Sequence, residues 1–165
     1  MCHTEPAPLT RAKPAVGFLL RTGLFAAVAY AVFGWVFVPV PVRSPDMLPT
    51  YRPGSVTFCF RPAVWFRKPT PGDVVFVRVP GGNRLLLRRV VAVAGDSVGF
   101  ASGRLIVNGR FMSEPYVAEG CMWTLAPTVV RPARVFVVGD NRSMPARTTP
   151  FGQVDVAAVV GVAVW

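Results

Sequence analysis

The stretch Ser44-Pro45-Asp46-Met47-Leu48-Pro49-Thr50 sets a hydroxyl and a carboxylate two residues apart, directly behind a long uncharged apolar segment. Chemistry done by either group would take place at a membrane surface. A Ser hydroxyl needs a neighbouring base to become a nucleophile, and the chain offers few. Its only histidine, His3, lies in the polar N-terminal stretch, which excludes a catalytic His or a His-based zinc site from the rest of the chain. The only lysines are Lys13 and Lys68. Cys2, Cys59 and Cys121 show no metal-ligand spacing, so no metal and no cofactor is expected. Cys59 and Cys121 could pair in an oxidising compartment or stay two free buried thiols.

The elements that must position these groups follow from composition. At 165 residues, 52% of them hydrophobic, the chain has room for one membrane segment and one domain. Residues 1–13 read as a flexible polar tail. Residues 14–42 read as a transmembrane helix: Thr22 to Val42 gives 21 residues without a charge, enough to span roughly 30 Å of hydrocarbon. Arg21 can snorkel to the near interface, and Pro39 and Pro41 should end the helix. The segment lacks a small-x-small site at its end and runs without a spacer into the first motif, so it reads as an anchor rather than a removable signal peptide. Arg11, Lys13 and Arg21 favour the N-terminus on the cis side and the following domain on the trans side; Arg43 pulls the other way.

Residues 43–165 form short β-type runs separated by Pro and Gly. Ser55 to Phe60, Val74 to Val79, Leu85 to Val93, Val98 to Phe100, Arg104 to Val107, Val135 to Val138 and Val156 to Val164 are strand candidates. Asn108-Gly109 reads as the turn of a hairpin from Arg104 to Met112. No long 3.6-residue periodicity exists beyond the anchor, so the domain is expected to be all-β. Phe58-Cys59-Phe60 and Val64-Trp65-Phe66, beside Arg67 and Lys68, suit either a core or a membrane interface.

The net charge of +10 lies mostly on this domain. It points to anionic lipid heads or an acidic partner protein. No nucleic-acid partner is expected, because the Arg residues are scattered and no nucleic-acid module is present.

Four boxes in order carry a resemblance. Asp46-Met47-Leu48-Pro49-Thr50, Gly72-Asp73-Val74-Val75-Phe76, Leu87-Arg88-Arg89-Val90-Val91 with Gly95-Asp96, and Gly139-Asp140-Asn141-Arg142 with Phe151-Gly152 resemble the type I signal peptidases. These are membrane-anchored Ser/Lys proteases that remove targeting peptides. Phe66-Arg67-Lys68-Pro69, Gly103 to Gly109 and Glu114-Pro115-Tyr116-Val117 are most similar to the plastid branch, the thylakoidal processing peptidases. The resemblance implies a signal-peptidase-like β domain behind one helix, in a plastid thylakoid or inner membrane by preference, or in a mitochondrial inner or bacterial plasma membrane.

It also implies where the chemistry would be. In the family a Ser precedes Met-x-Pro-Thr and a Lys serves as its base; the matching residues are Asp46 and Arg88. A carboxylate is a poor nucleophile toward an amide, and a guanidinium with a pKa above about 12 is no base near neutral pH. Ser44 falls where some relatives place an oxyanion-hole hydroxyl, or it is a simple turn residue. Met47, Pro49, Arg89, Asp140, Asn141 and Arg142 are expected to line the pocket. The late box departs from the family at Pro145, Arg147, Thr148 and Thr149, where side chains that order the base would stand. A relocated Ser44/Lys68 dyad is conceivable, though Lys68 falls in a different box. An Asp46/Asp140 dyad is disfavoured by Arg88 and Arg142, which would keep both carboxylates ionised. Asp46 and Arg88 are instead expected to form a charge-assisted ion pair that locks the cleft.

Three functions are open on these residues. The first is a non-catalytic homologue, a structural or binding subunit of a larger membrane complex contacting lipid and other membrane-protein subunits. The second is an active processing peptidase. The third is a binder that holds signal peptides uncut in an apolar cleft beside Met47 and Leu48.

Overall fold

The computed structural model describes residues 13–79, 81, 84–118, 120, 122–144 and 151–164. The chain divides into two compact units, residues 1–35 and 36–165. Helix α1 (Lys13–Val36) supplies the first. Its segment Val16–Val36 is long and apolar enough to cross a bilayer, and every described side chain from Val16 to Trp35 is exposed. Thr22 satisfies its hydroxyl within the helix by donating to the Phe18 carbonyl at 3.0 Å.

The helix ends earlier than the hydrophobic pattern suggests. Residues 37–41, assigned above to the membrane segment, form strand β1 (Phe37–Pro41). Pro39 and Pro41 cannot donate to a helical ladder, and each pushes the valine before it into extended backbone. Val38 and Val40 then pair with Cys59 and Thr57 of β2 (Val56–Phe60).

The remainder is mostly β. After β2 come the one-turn helix α2 (Ala63–Phe66), β3 (Val74–Arg78), β4 (Leu85–Val93), β5 (Ser97–Ala101), β6 (Arg104–Val107), β7 (Arg110–Phe111), β8 (Leu125–Val129), β9 (Arg134–Val138), β10 (Gly152–Asp155) and β11 (Val159–Val164). A seven-stranded sheet has the order β1-β2-β11-β3-β4-β9-β10, and a four-stranded sheet the order β7-β6-β5-β8. The β6–β7 hairpin turns on Asn108 and Gly109, both at positive φ, as its Asn-Gly sequence requires. One expectation needs correction, and one strand was not among the candidates. Val156–Val164 is not one strand: Val156–Ala158 is a 3-10 turn, and the strand starts at Val159. The run Leu125–Val129 is a strand despite Pro127, which an edge position in the small sheet tolerates.

Burial explains the unbroken apolar runs. Along β3, Val74 and Phe76 pack into one cluster with Val42, Met47, Cys59 and Leu87, while Val75 and Val77 pack into another with Val90, Val135 and Val137. The strand is buried on both faces, so it shows no alternation. Val38 and Val40 of β1 join the cluster of Phe76 and Leu87 although three strands separate β1 from β4. The large sheet therefore curls on itself. A third cluster, with Val98, Phe100, Leu105, Trp123 and Phe136, joins the two sheets.

Candidate functional site

The stretch from Ser44 to Thr50 is held at the inner face of this curl. Pro45 opens a 3-10 turn, Pro45–Met47, that buries Asp46 and Met47. The late box clasps it from the other side. Asn141 donates its backbone N–H to the Asp46 carbonyl at 2.9 Å and its side-chain amide to the Pro45 carbonyl at 3.0 Å.

Asp46 and Arg88 meet. Arg88 Nη2 donates to Asp46 Oδ2 at 2.7 Å, with the two residues 1% and 6% exposed respectively. Arg88 Nη1 donates to the carbonyl of Leu87, its own neighbour, at 2.7 Å. The paired charges offset much of the desolvation that either alone would suffer in this interior.

A second buried pair lies beside it. Arg89 grips Asp140 with two donors, Nε to Oδ1 at 2.8 Å and Nη2 to Oδ2 at 2.7 Å, and the Thr50 hydroxyl donates to Oδ2 at 2.6 Å. Arg89 Nη1 donates to the Gly72 carbonyl, and its guanidinium lies 4.0 Å from the centre of the Tyr116 ring. Burial alone would lower the Arg89 pKa, but the Asp140 bonds outweigh it and hold it above its ordinary value. A third pair uses Arg142, which donates to Glu114 through both terminal nitrogens, to the Gly139 carbonyl at 2.8 Å, and stacks near Phe100 and Trp123. The Tyr116 hydroxyl donates to Glu114 at 2.9 Å. Burial, and then the Glu114 charge, push the Tyr116 pKa up.

These pairings correct one expectation: the cation on Asp140 is Arg89, and Arg142 belongs to Glu114. Glu114, Tyr116 and Thr50 were missed as site residues. The usable signal was charge accounting, since buried arginines need carboxylates and the domain has few. Lys68 is exposed and does not line the groove that holds Ser44. Pro145, Arg147, Thr148 and Thr149 lie outside the described residues. Cys59 is a free, buried thiol whose pKa burial pushes up to about 11. Its expected alternative partner, Cys121, also lies outside the described residues.

The groove is open beside the ion pair. It encloses about 310 Å³ between β1 and the first half of β4, with Ser44, Asp46 and Met47 at its wall. Leu48 is not part of it. Together with Pro49, Asp140, Asn141 and Arg142 it lines a separate hollow of about 280 Å³. Ser44 caps no backbone group and has no hydrogen-bond partner among the described residues.

Among the described residues neither strand edge that flanks the groove pairs with a further strand. In β1, backbone bonds of Val36 and Val42 to Arg61, Ser55 and Gly54 fix the alternation, so residues 36, 38, 40 and 42 face β2, and Phe37, Pro39 and Pro41 face outward. In β4, the bonds Val79 N–H to Arg84 and Val90 N–H to Asp73 direct residues 84, 86 and 88 to β3, and the register with β9 begins only at Arg89. Leu85 and Leu87 therefore turn their backbone groups away from β3, toward the groove. Among the described residues no group of three or more His, Cys, Asp or Glu side chains is placed to hold a metal ion.

A mostly-β domain follows the apolar helix in sequence, and its Ser44–Met47 turn stands at the wall of a groove between β1 and β4. The family model described as "Signal peptidase, peptidase S26" matches residues 16–165, and the chain belongs to that family. It is similar to thylakoidal processing peptidase 1 of Arabidopsis thaliana, 29% identical over 138 residues that cover 77% of this chain and 41% of that protein. It is similar to signal peptidase I of Bacillus licheniformis, 29% identical over 81% of this chain and 78% of that one. The mitochondrial ATP-independent inner membrane protease subunit 1b of Arabidopsis thaliana is 25% identical over 88% of this chain and 81% of that protein. The chain spans about two fifths of the length of the thylakoidal relatives it matches.

Proposed function

We propose that this chain is a non-cleaving member of the signal peptidase family, a single-pass membrane protein whose β domain binds an extended peptide chain or a partner subunit without cutting it. The observation that carries this reading is the buried Asp46–Arg88 pair at 2.7 Å, at the two positions where the resemblance puts nucleophile and base. A carboxylate held by a guanidinium neither attacks an amide nor removes a proton from a hydroxyl at neutral pH. The open groove supports retained binding of signal-peptide-like chains. Exposed Trp65 and Phe66, 61% and 85% exposed, beside exposed Arg67 and Lys68, support contact of the domain with a lipid interface. Similarity to thylakoidal, bacterial and mitochondrial inner-membrane peptidases supports a place in one of those membranes, with the β domain on the trans side.

A second reading, an active processing peptidase, is favoured by one observation: the Ser44 hydroxyl lines the groove without a hydrogen-bond partner among the described residues. The experiment is cleavage of a signal-peptide substrate by the purified full-length chain in detergent, alongside the Asp46→Ser/Arg88→Lys double variant. No cleavage by the natural chain, with any gain in the variant, supports the first reading. Cleavage by the natural chain that Ser44→Ala abolishes replaces it with the second.

A further inference from the structure

The charges around the groove are unbalanced. Of the four charged residues that line it, Asp46 and Arg88 neutralise each other, while Arg43 and Arg84 are both exposed and have no side-chain partner among the described residues. They stand toward opposite ends. Arg43 is three residues before Asp46, whose side chain reaches Arg88; Arg84 is four residues before Arg88 on the run into β4, about 13 Å away along an extended chain. Between them the lining is apolar, with Val40, Val42, Phe76, Leu85 and Leu87.

This combination has a chemical complement. An extended chain laid along the groove takes backbone hydrogen bonds from the edge at Leu85 and from the Leu87 N–H, the Leu87 carbonyl already accepting from Arg88, and buries alternate apolar side chains. Any acidic side chain it carries near either end meets an arginine whose charge nothing else in the groove cancels. A basic side chain meets like charge at both ends, and repulsion of that kind discriminates as effectively as attraction. We infer that the groove selects extended peptides bearing acidic residues flanking an apolar centre, with Arg43 and Arg84 as the specificity-determining residues. The inference rests on the reading that the groove holds a peptide, and it adds the class of peptide.

The test uses the full-length chain in a nonionic detergent and three fluorescent eight-residue peptides with the same alternating apolar core. Their two flanking polar positions carry Glu, Gln or Lys. Anisotropy titrations should give the Glu peptide an affinity about tenfold above the Gln peptide at low salt, with the Lys peptide weakest. The advantage should shrink in 0.5 M salt, as exposed charges are screened. In the Arg43→Gln/Arg84→Gln variant the affinities of the Glu and Gln peptides should converge. Equal binding of the Glu and Gln peptides by the natural chain overturns the inference and leaves the peptide-binding reading standing. A preference for Glu that survives the double variant overturns it too, because the attraction then comes from the +10 surface at large. Binding of none of the three overturns the peptide-binding reading itself.

Discussion

Gly139 presses against the backbone of Asp46: a β-carbon at position 139 would stand 2.6 Å from the Asp46 carbonyl oxygen. That same oxygen accepts the Asn141 N–H. The late box thus holds the Asp46 turn by close backbone approach as well as by hydrogen bonds, and only glycine permits it. Gly139→Ala is expected to push the turn off its seat and lower stability by about 1–3 kcal/mol. Thermal unfolding of the full-length protein in detergent checks this, with Gly120→Ala, whose added carbon meets nothing within 4 Å, expected to unfold like the natural chain.

The Asp46–Arg88 pair should behave as a buried ion pair. Removing one partner leaves an uncompensated charge in a site almost closed to water. Asp46→Ala or Arg88→Ala is expected to cost about 3–5 kcal/mol. Replacing both with apolar residues of similar length, Asp46→Leu with Arg88→Met, removes the stranded charge and should cost less than either single change. Denaturant midpoints of the three variants measure this order directly.

Much of this arrangement was legible in the residues. Leu85–Val93 and Arg104–Val107 form strands over the bounds their β-branched and aliphatic runs suggested, and the Asn108-Gly109 turn set the hairpin. Opposite charges at Asp46 and Arg88, the two positions the resemblance singles out, pointed to the ion pair. Other features depend on tertiary contacts that local pattern does not encode. The helix stops at Val36 because β2 is there to pair with Phe37–Pro41. Pro127 is accepted in a strand because β8 lies at an edge. Arg142 was expected beside Asp140, but Glu114, distant in sequence, takes Arg142 and leaves Asp140 to Arg89. The groove was expected beside Met47 and Leu48; Met47 lines it, while Leu48 lines a different hollow.

Acid should loosen the loop before β3. The Asp73 carboxylate accepts from Arg67 at 2.6 and 2.9 Å and from the Thr70 N–H and hydroxyl at 2.8 and 3.0 Å. Burial pushes its pKa up, but the Arg67 and Thr70 bonds outweigh that and hold it below the usual carboxylate range. A carboxyl with a folded pKa below its unfolded value, near about 3.9, stabilises above that value and loses the contribution as pH falls through the folded pKa. Arg67 is about half exposed, so the effect is screened. Asp73→Asn is expected to cost about 1 kcal/mol at pH 7. The difference from the natural chain should close as the pH drops below about 3, which unfolding curves across that range would register.

The prolines of β1 should limit how a peptide is held. Pro39 and Pro41 turn their backbone away from β2, and Pro41 lines the groove, so that edge offers their carbonyls as acceptors but no N–H at either position. A strand added in the groove can donate to β1 and cannot receive from it there, whereas Leu87 of β4 still presents a backbone donor. Because residue 41 does not bond β2, Pro41→Val restores a donor on the groove side without touching the existing ladder. One added backbone hydrogen bond contributes about 0.5–1.5 kcal/mol. Affinity for an extended apolar peptide should therefore rise about threefold to tenfold, read by anisotropy with the full-length chain. The same donor completes an exposed strand edge, so the variant should also self-associate more readily on sedimentation in detergent. Unchanged affinity in Pro41→Val, alongside intact peptide binding, would mean that a bound chain pairs with β4 alone.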